Sequence, residues 1–371
     1  MTWKESMDHV PPEGGDGAAP PTAAAWWVYK GTGRPRSEIE CPAALLPDPP
    51  PWRRFGGSSP SGGLQPPPPD DDGEAEQHLG PVSAPEPAVI STAEVDAVNA
   101  SLFLRRPLIV TGPPGIGKTS LAYKVARELR LGRVLRWEIT TQSELGSGLY
   151  RYDAIERLRD VSSRGSDHKR PASNGPPDDL SQYFRLGPLG TALLPYEHPR
   201  VLLVDELDKS DPDLANNLLH VLEKGRFQIP EIANRMRSSV PVSLPADDPG
   251  HTAEVHPEKI MCRAFPIVVI TSNGERVFPS AFLRRCIQLH LDDPGEEQLA
   301  DMLRVHFAAG GQGGHDPADA EMIAEFLEWR RRMGSLAVDQ LLNNSYLRGF
   351  AQSSQERERI VDLLYQRLSE G

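Results

Sequence analysis

Residues 107–119 constrain this chain more than any other stretch. Pro107-Leu-Ile-Val-Thr111 is a short apolar run that feeds into Gly112-Pro113-Pro114-Gly115-Ile116-Gly117-Lys118-Thr119, which satisfies G-x-x-x-x-G-K-[ST] at every fixed position. The glycines let the backbone curl so that successive N–H groups face a phosphate. The helix expected from about Lys118 to Leu129, with Ser120 at its start, adds its positive N-terminal end. Lys118 is then placed to reach β/γ-phosphates, and the Thr119 hydroxyl to ligate Mg²⁺. A buried strand, a phosphate-gripping turn and a helix in that order require an α/β fold.

A second apolar run, Val201-Leu-Leu-Val204, ends in Asp205-Glu206. Four apolar residues bury the strand and leave the acids at its C-terminal edge, where open α/β sheets bind ligands. Asp205 is the second candidate for Mg²⁺, and Glu206 the candidate to polarise an attacking water. Alone, this pattern reads better as a strand followed by a solvated acidic turn; the glycine loop upstream reverses that reading. A third run, Ile267-Val-Val-Ile270, ends at Thr271-Ser272-Asn273. Asn273 either helps orient that water or simply turns the chain before Gly274. Phe278-Pro-Ser-Ala-Phe-Leu283-Arg284-Arg285-Cys286 then offers an arginine pair at the end of a short apolar helix. The pair is either a surface cation or a group that reaches a γ-phosphate across a subunit boundary.

Strands alternating with helices between these motifs imply a mainly parallel sheet covered on both faces. Ser91-Thr-Ala-Glu94 reads as a capping box opening a helix through Phe103. Arg133–Thr140 reads as a further strand, Ser162–Asp179 as a polar surface insertion, and Asp211-Pro212 as the start of a helix ending at Gly225. Phe227–Ile229 and Ser239–Val242 read as hairpin arms flanking that helix end. After Leu291 the pattern becomes all-helical, with helix starts at Asp293-Pro294 and Asp316-Pro317, a third helix near Leu336–Tyr346 and a fourth over Ser354–Glu370.

The first 87 residues are different in kind. They hold 18 of the chain's 37 prolines, including the run Pro66–Pro69 before Asp70–Asp72. Such composition buries too little apolar surface to offset ordering entropy, so a mostly disordered tail is expected. The island Trp26-Trp27-Val28-Tyr29-Lys30-Gly31-Thr32-Gly33-Arg34-Pro35-Arg36, echoed by Pro51-Trp52-Arg53-Arg54-Phe55, resists that expectation. It reads as an arm that packs on its own or a neighbouring globular body; an incidental cluster is the main rival, and stacking on nucleic acid a weaker one. The resulting division is a tail over 1–87, an α/β nucleotide-binding domain over 88–290 and a helical lid over 291–371.

A formal net charge of −12 over 371 residues argues against bulk nucleic-acid or membrane binding. No run approaches the ~20 apolar residues of a membrane span, and the N-terminus reads as no signal peptide. Cys41, Cys262 and Cys286 fit free thiols in a reducing cytoplasm. Cys262 lies near His251 and His256, but the spacing matches no zinc pattern.

Taken in order, Gly112–Thr119, Val201–Glu206, Ile267–Asn273 and Phe278–Cys286, followed by a helical lid, resemble an AAA+ ATPase. The stretches Gly187-Pro-Leu-Gly-Thr-Ala-Leu-Leu and Asn216-Asn-Leu-Leu-His-Val-Leu-Glu-Lys-Gly-Arg-Phe-Gln-Ile are similar to the MoxR-like branch. The resemblance covers about Ser91–Glu370. It implies a P-loop NTPase core, ATP with Mg²⁺, and homo-oligomeric rings, commonly hexamers, with ATP at the subunit interface. It further implies hydrolysis used to remodel a partner protein, Asn273 as the sensor-1 residue, and Arg285, with Arg284 as its rival, as a trans arginine finger. The regions Gly225–Pro230 and Arg235–Pro257 resemble pore-proximal inserts. One departure is the comparable lid position, Gly334-Ser335-Leu336-Ala337, which lacks the sensor-2 arginine; Arg330, Arg331 and Arg332 are the substitutes at hand. The other is the long gap between the first two motifs. Three readings follow: a remodelling motor, an ATP-driven assembly switch with slow hydrolysis, and a DNA-directed motor, the last disfavoured by charge.

Overall fold

The computed structural model describes residues 26–35, 42–69, 73–83, 89–166, 180–234, 240–307, 319–333, 336–351 and 353–365. In chain order the helices and strands begin with α1 (Glu74–Leu79), α2 (Thr92–Leu104), β1 (Leu108–Thr111), α3 (Ser120–Leu129) and β2 (Leu135–Glu138). Next come α4 (Leu145–Leu149), β3 (Tyr150–Tyr152), α5 (Ala154–Ser166), β4 (Phe184–Leu186), α6 (Pro188–Ala192), β5 (Val201–Asp205) and α7 (Pro212–Lys224). The insert region supplies β6 (Arg226–Phe227), α8 (Pro230–Ala233), β7 (Val242–Pro245), β8 (Thr252–Val255) and β9 (Ile260–Met261). The core closes with β10 (Ile267–Ser272), α9 (Ser280–Leu283) and β11 (Ile287–His290). The lid contains α10 (Glu296–Phe307), α11 (Ala320–Met333), α12 (Val338–Arg348) and α13 (Ser354–Tyr365).

The main sheet is five-stranded and parallel, in the order β11-β1-β10-β5-β2. Its side chains split between two cores with the period of two that a pleated strand dictates. Ile109, Leu202, Val204, Val268 and Ile270 enter one core; Leu108, Val110, Leu203, Val269 and Leu289 enter the other. Fully burying each such side chain is worth about 1.5–3 kcal/mol, which fixes the register, because a one-residue slip would exchange the two faces. The helical lid has a core of its own, built on Leu299, Leu303, Met322, Phe326, Leu341 and Tyr365.

Local chemistry sets the helix ends. Asp211 caps α7 by accepting from the Asp213 N–H (2.9 Å), Pro212 occupies its first position, and Gly225 ends it in the left-handed conformation. The capping box at α2 is only half formed. Ser91 Oγ accepts from the Glu94 N–H (3.3 Å), but the Glu94 carboxylate turns instead to Tyr29 and Lys124.

Two expectations need correction. Phe227–Ile229 and Ser239–Val242 are not arms of one hairpin. β6 pairs antiparallel with β9, and β7 pairs with β8, because Pro230 starts α8 immediately after Ile229 and diverts the chain. Residues 235–239 lie outside the described residues. The gap between the first two motifs also contains an unforeseen antiparallel pair, β3 with β4. Of the polar insertion at 162–179, residues 167–179 lie outside the described residues.

The described parts of the tail are laid over the body, including proline-rich stretches for which composition predicts disorder. Proline-restricted segments have less entropy to lose, and the body supplies partners for their backbone. Gly57 N–H donates to Cys262 O (3.1 Å), Gln65 N–H to Pro195 O (3.0 Å), and Pro69 O accepts from Arg133 N–H (3.1 Å). Phe55 stacks on Phe265 at 5.7 Å, whereas Trp52 stays exposed. Cys262 and Cys286 are free buried thiols, both pushed up to about 12 by burial; Cys41 lies outside the described residues.

Candidate functional site

The C-terminal ends of β1, β5 and β10 meet at one edge of the sheet, with Thr111 level with Ser272 and Ile270 level with Val204. A cleft of about 790 Å³ opens there, within the size range of ligand sites. It is lined by the loop residues Pro114–Ser120, by Asp205, Glu206 and Asn273, and by lid residues including Met302, Val305 and Val338.

The glycine loop leaves β1 through three residues with positive φ, Gly112, Gly115 and Gly117. A side chain at Gly112 would sit 2.4 Å from Leu291 O, and one at Gly115 would sit 2.5 Å from Ala337 Cβ. The missing side chain at 115 is therefore what lets the lid rest on the loop. Lys118 is buried and donates to the carbonyls of Gly112 (2.9 Å) and Pro113 (2.6 Å). Burial lowers its pKa, against the opposing influence of Asp208, Glu206 and Asp205.

Asp205 is the hub of the site. Its Oδ1 accepts from the Thr119 hydroxyl (3.1 Å) and the Thr271 hydroxyl (2.7 Å), and its Oδ2 from the Arg136 guanidinium (3.0 Å). Thr119 and Asp205, an adjacent hydroxyl and carboxylate, are the hard oxygen donors Mg²⁺ prefers, so the residues present fit that ion.

Glu206 stands at φ 59°, ψ 49°, a left-handed conformation that costs a non-glycine residue on the order of 1 kcal/mol or more. The strain is held by its own N–H donating to Thr271 Oγ1 (2.8 Å). It turns the carboxylate into the cleft, where Oε1 accepts from Asn273 Nδ2 (3.2 Å) and Oε2 from Lys209 Nζ (2.6 Å). The Asn273 loop is itself fixed by buried Asp208, whose Oδ2 accepts the N–H groups of Asn273 and Glu275, both at 3.0 Å.

Lys118, Thr119, Asp205, Glu206 and Asn273 thus come together as their motifs suggest. Arg284 and Arg285 do not join them within the chain. Arg285 forms an ion pair with Glu223 on α7 and donates to Ala281 O; Arg284 donates to Ser280 O. Of the three arginines considered as sensor-2 substitutes, Arg330 pairs with Asp293, a cleft residue, at 2.5 Å, while Arg331 bonds its own helix and Arg332 lies over Trp329. Gly334 and Ser335 lie outside the described residues.

Sequence reasoning missed Thr271, Arg136, Asp208 and Lys209. The only available signals were a hydroxyl ending an otherwise apolar strand and a lone cation within Leu135-Arg136-Trp137. Two further cleft residues, His78 and His306, come from the tail and the lid. Burial lowers the pKa of both, helped at His78 by Arg136 and at His306 by His78. Among the described residues no group of three or more His, Cys, Asp or Glu is placed to hold a metal ion, and no helix is long and apolar enough to cross a membrane.

A family model described as an AAA domain of the dynein-related subfamily matches residues 107–285. An ATP-dependent protease ATP-binding subunit-like protein of Rhodococcus erythropolis is 29% identical over 143 residues, which are 38% of this chain and 35% of that protein. Gas vesicle ATPase GvpN1 of Halobacterium salinarum is 26% identical over 250 residues, 63% of this chain and 61% of that one. The chain therefore spans about a third and about three fifths of these curated relatives. Two solved RuvB variants from Thermotoga maritima align with TM-scores of 0.34 and 0.36 at 14% and 16% identity. Those alignments cover 73% of this chain and 65% and 66% of the two structures.

Proposed function

Starting from a chain that belongs to the AAA+ ATPase superfamily, we propose that it binds ATP with Mg²⁺ at Gly112–Ser120, hydrolyses it to ADP and phosphate, and uses the cycle to remodel or regulate a partner protein. The observation that carries this reading is the convergence of two pairs in one cleft, Thr119 with Asp205 at 3.1 Å and Asn273 with Glu206 at 3.2 Å.

In this reading the loop N–H groups and Lys118 grip the phosphates, and Thr119 and Asp205 hold the metal. Bound Mg²⁺ supplies neutralisation of phosphate charge. Glu206 accepts a proton from the attacking water while Asn273 holds the carboxylate in place. Arg285, or its neighbour Arg284, serves a neighbouring copy, so that the working form is a ring, hexameric in the MoxR-like pattern. The division into tail, core and lid follows 1–87, 88–290 and 291–371, and the setting is cytoplasmic. The relatives named for a protease and for gas vesicles favour a protein client; the net charge of −12 disfavours nucleic acid.

A switch that hydrolyses slowly is the second reading. It is favoured by the occupation of Arg330 with Asp293 and by Leu336-Ala337, which carry no arginine. Both readings are tested with Glu206→Gln. The variant should keep ATP, lose turnover at least about 100-fold, and shift in mass photometry to a ring upon ATP addition. A particle mass unchanged by ATP would sink the assembly model. Wild-type turnover stimulated by a client favours the motor; nucleotide-dependent capture of an effector with slow turnover favours the switch.

A further inference from the structure

The segment Trp26–Pro35 is fastened to the two helices that flank the nucleotide cleft. From α2, Asp96 accepts from Trp27 Nε1 (2.8 Å), and Asn99 Oδ1 accepts from the N–H groups of Val28 (2.8 Å) and Tyr29 (3.0 Å). Asn99 Nδ2 donates to Tyr29 O (2.7 Å) and to Val95 O (2.8 Å), so both of its donors and both of its acceptor positions are used. Tyr29 is fully buried, and its hydroxyl donates to Glu94 (2.8 Å). From α3, fully buried Glu128 accepts from the N–H groups of Lys30, Thr32 (2.9 Å) and Gly33 (3.2 Å) and from the Thr32 hydroxyl (3.1 Å).

The fastened segment then turns into the cleft. Gly31 has φ +81°, and a side chain there would lie 2.9 Å from Ile90 Cγ2. Gly31–Arg34 form a wall of the same cleft as Pro114–Ser120, together with Ile90, Glu94 and Lys124. Glu94 joins the two sides, accepting from Tyr29 of the strap and pairing with Lys124 of α3 at 3.3 Å. The helix that begins at the glycine loop is thus the helix whose Glu128 holds the strap.

We propose that Trp26–Pro35 is a strap forming part of the nucleotide site, and that its docking and nucleotide binding are a single linked equilibrium. This rests on the reading of the glycine loop as an ATP site. A ligand filling the cleft covers the inner face of the strap and holds it down. By reciprocity the docked strap tightens nucleotide binding by the same factor, typically about 5- to 150-fold for coupled sites. Anything that pulls on Trp26 or Trp27 therefore controls nucleotide affinity at a distance from the phosphates.

The test is hydrogen exchange of the full chain with and without ADP or ATP, paired with titration of a fluorescent ADP analogue. Nucleotide should slow exchange of the Lys30, Thr32 and Gly33 amides at least about fivefold, an effect absent in Lys118→Ala. Asn99→Ala should speed their exchange and weaken nucleotide binding by at least the same factor. Because Asn99→Ala opens a hole in a packed core, Trp27→Ala, which removes only a half-buried latch on the strap, should move both readouts in the same direction. If wild type binds nucleotide while strap exchange is unchanged, or if both strap variants bind as tightly as wild type, the linkage is overturned and the ATP site stands. If wild type binds neither ATP nor ADP, the underlying site assignment falls and the linkage with it.

Discussion

The Arg136 guanidinium donates to Asp205 Oδ2 at 3.0 Å, which puts a fixed cation beside the carboxylate assigned to Mg²⁺. Two unit charges about 4 Å apart interact by ~4 kcal/mol at an effective dielectric of 20. Arg136 is about one-third exposed, and solvent screening reduces that to ~1 kcal/mol. Arg136→Met should therefore lower the Mg²⁺ concentration that half-saturates ATP turnover, by about three- to tenfold. The check is a Mg²⁺ titration at fixed ATP. A requirement that rises instead would mean that Arg136 works for the phosphates rather than against the metal.

Asn273 reaches Glu206 through its side chain, while its backbone N–H is held by buried Asp208. Asn273→Ala therefore removes the orienting contact and leaves the loop in place. The expected result is a 10- to 100-fold loss in kcat, at the scale of a misplaced general base, with nucleotide affinity within about twofold of wild type. Affinity falling in parallel with kcat would move Asn273 from orientation to nucleotide binding.

Much of this site was legible because its parts sit where strands end. The glycine loop, Asp205-Glu206 and Asn273 each follow an apolar run whose burial on both faces makes the strand unmistakable, and a parallel sheet brings such ends together. What escaped depends on contacts between segments remote in sequence. Thr271 matters because its hydroxyl lies between Asp205 and the Glu206 N–H, and Arg136 because β2 pairs with β5. The tail was misleading for a related reason. Its composition reports what it can bury by itself, whereas Tyr29 is buried by Val95 and its neighbours and held by Asn99, some 70 residues away. The hairpin assignment failed at Pro230, where a helix start outweighed the apparent strand pattern.

His78 and His306 give the protein a pH response with a defined sign. Both imidazoles are held below their ordinary pKa, chiefly by burial; Arg136 adds to this at His78, where Glu74 and Asp205 oppose it. The unfolded chain takes up protons near pH 6.5 that the folded chain resists. The contribution to stability is therefore complete above about 6.5 and is lost as pH falls through that value toward the lowered folded pKa values. Between pH 7.5 and 5.5, wild-type Tm should fall more steeply than that of the His78→Gln/His306→Gln double variant, as read by thermal scans across the series. Parallel slopes in the two proteins would remove the histidines as the cause.

Arg285 offers the sharpest separation of a catalytic role from a structural one. Within the chain its partner is Glu223, and the two side chains are 45% and 40% exposed. Ion pairs of that exposure contribute ~0–1 kcal/mol, so Arg285→Ala should lower Tm by no more than about 2–4 °C. If Arg285 completes a neighbour's site, its loss should nevertheless reduce turnover about 10³-fold, as for other arginines that stabilise phosphoryl-transfer charge. The same change at Arg284, whose side chain donates to the Ser280 carbonyl one turn back in its own short helix, should cost far less. Mixing Arg285→Ala chains with Lys118→Ala chains should restore part of the activity, because an interface with the Arg285→Ala chain on the loop side and the Lys118→Ala chain on the arginine side pairs an intact glycine loop with an intact arginine. Steady-state turnover of the mixture, measured against protein concentration, decides the matter. If the mixture is no more active than the sum of its components, the arginine acts within its own chain or not at all.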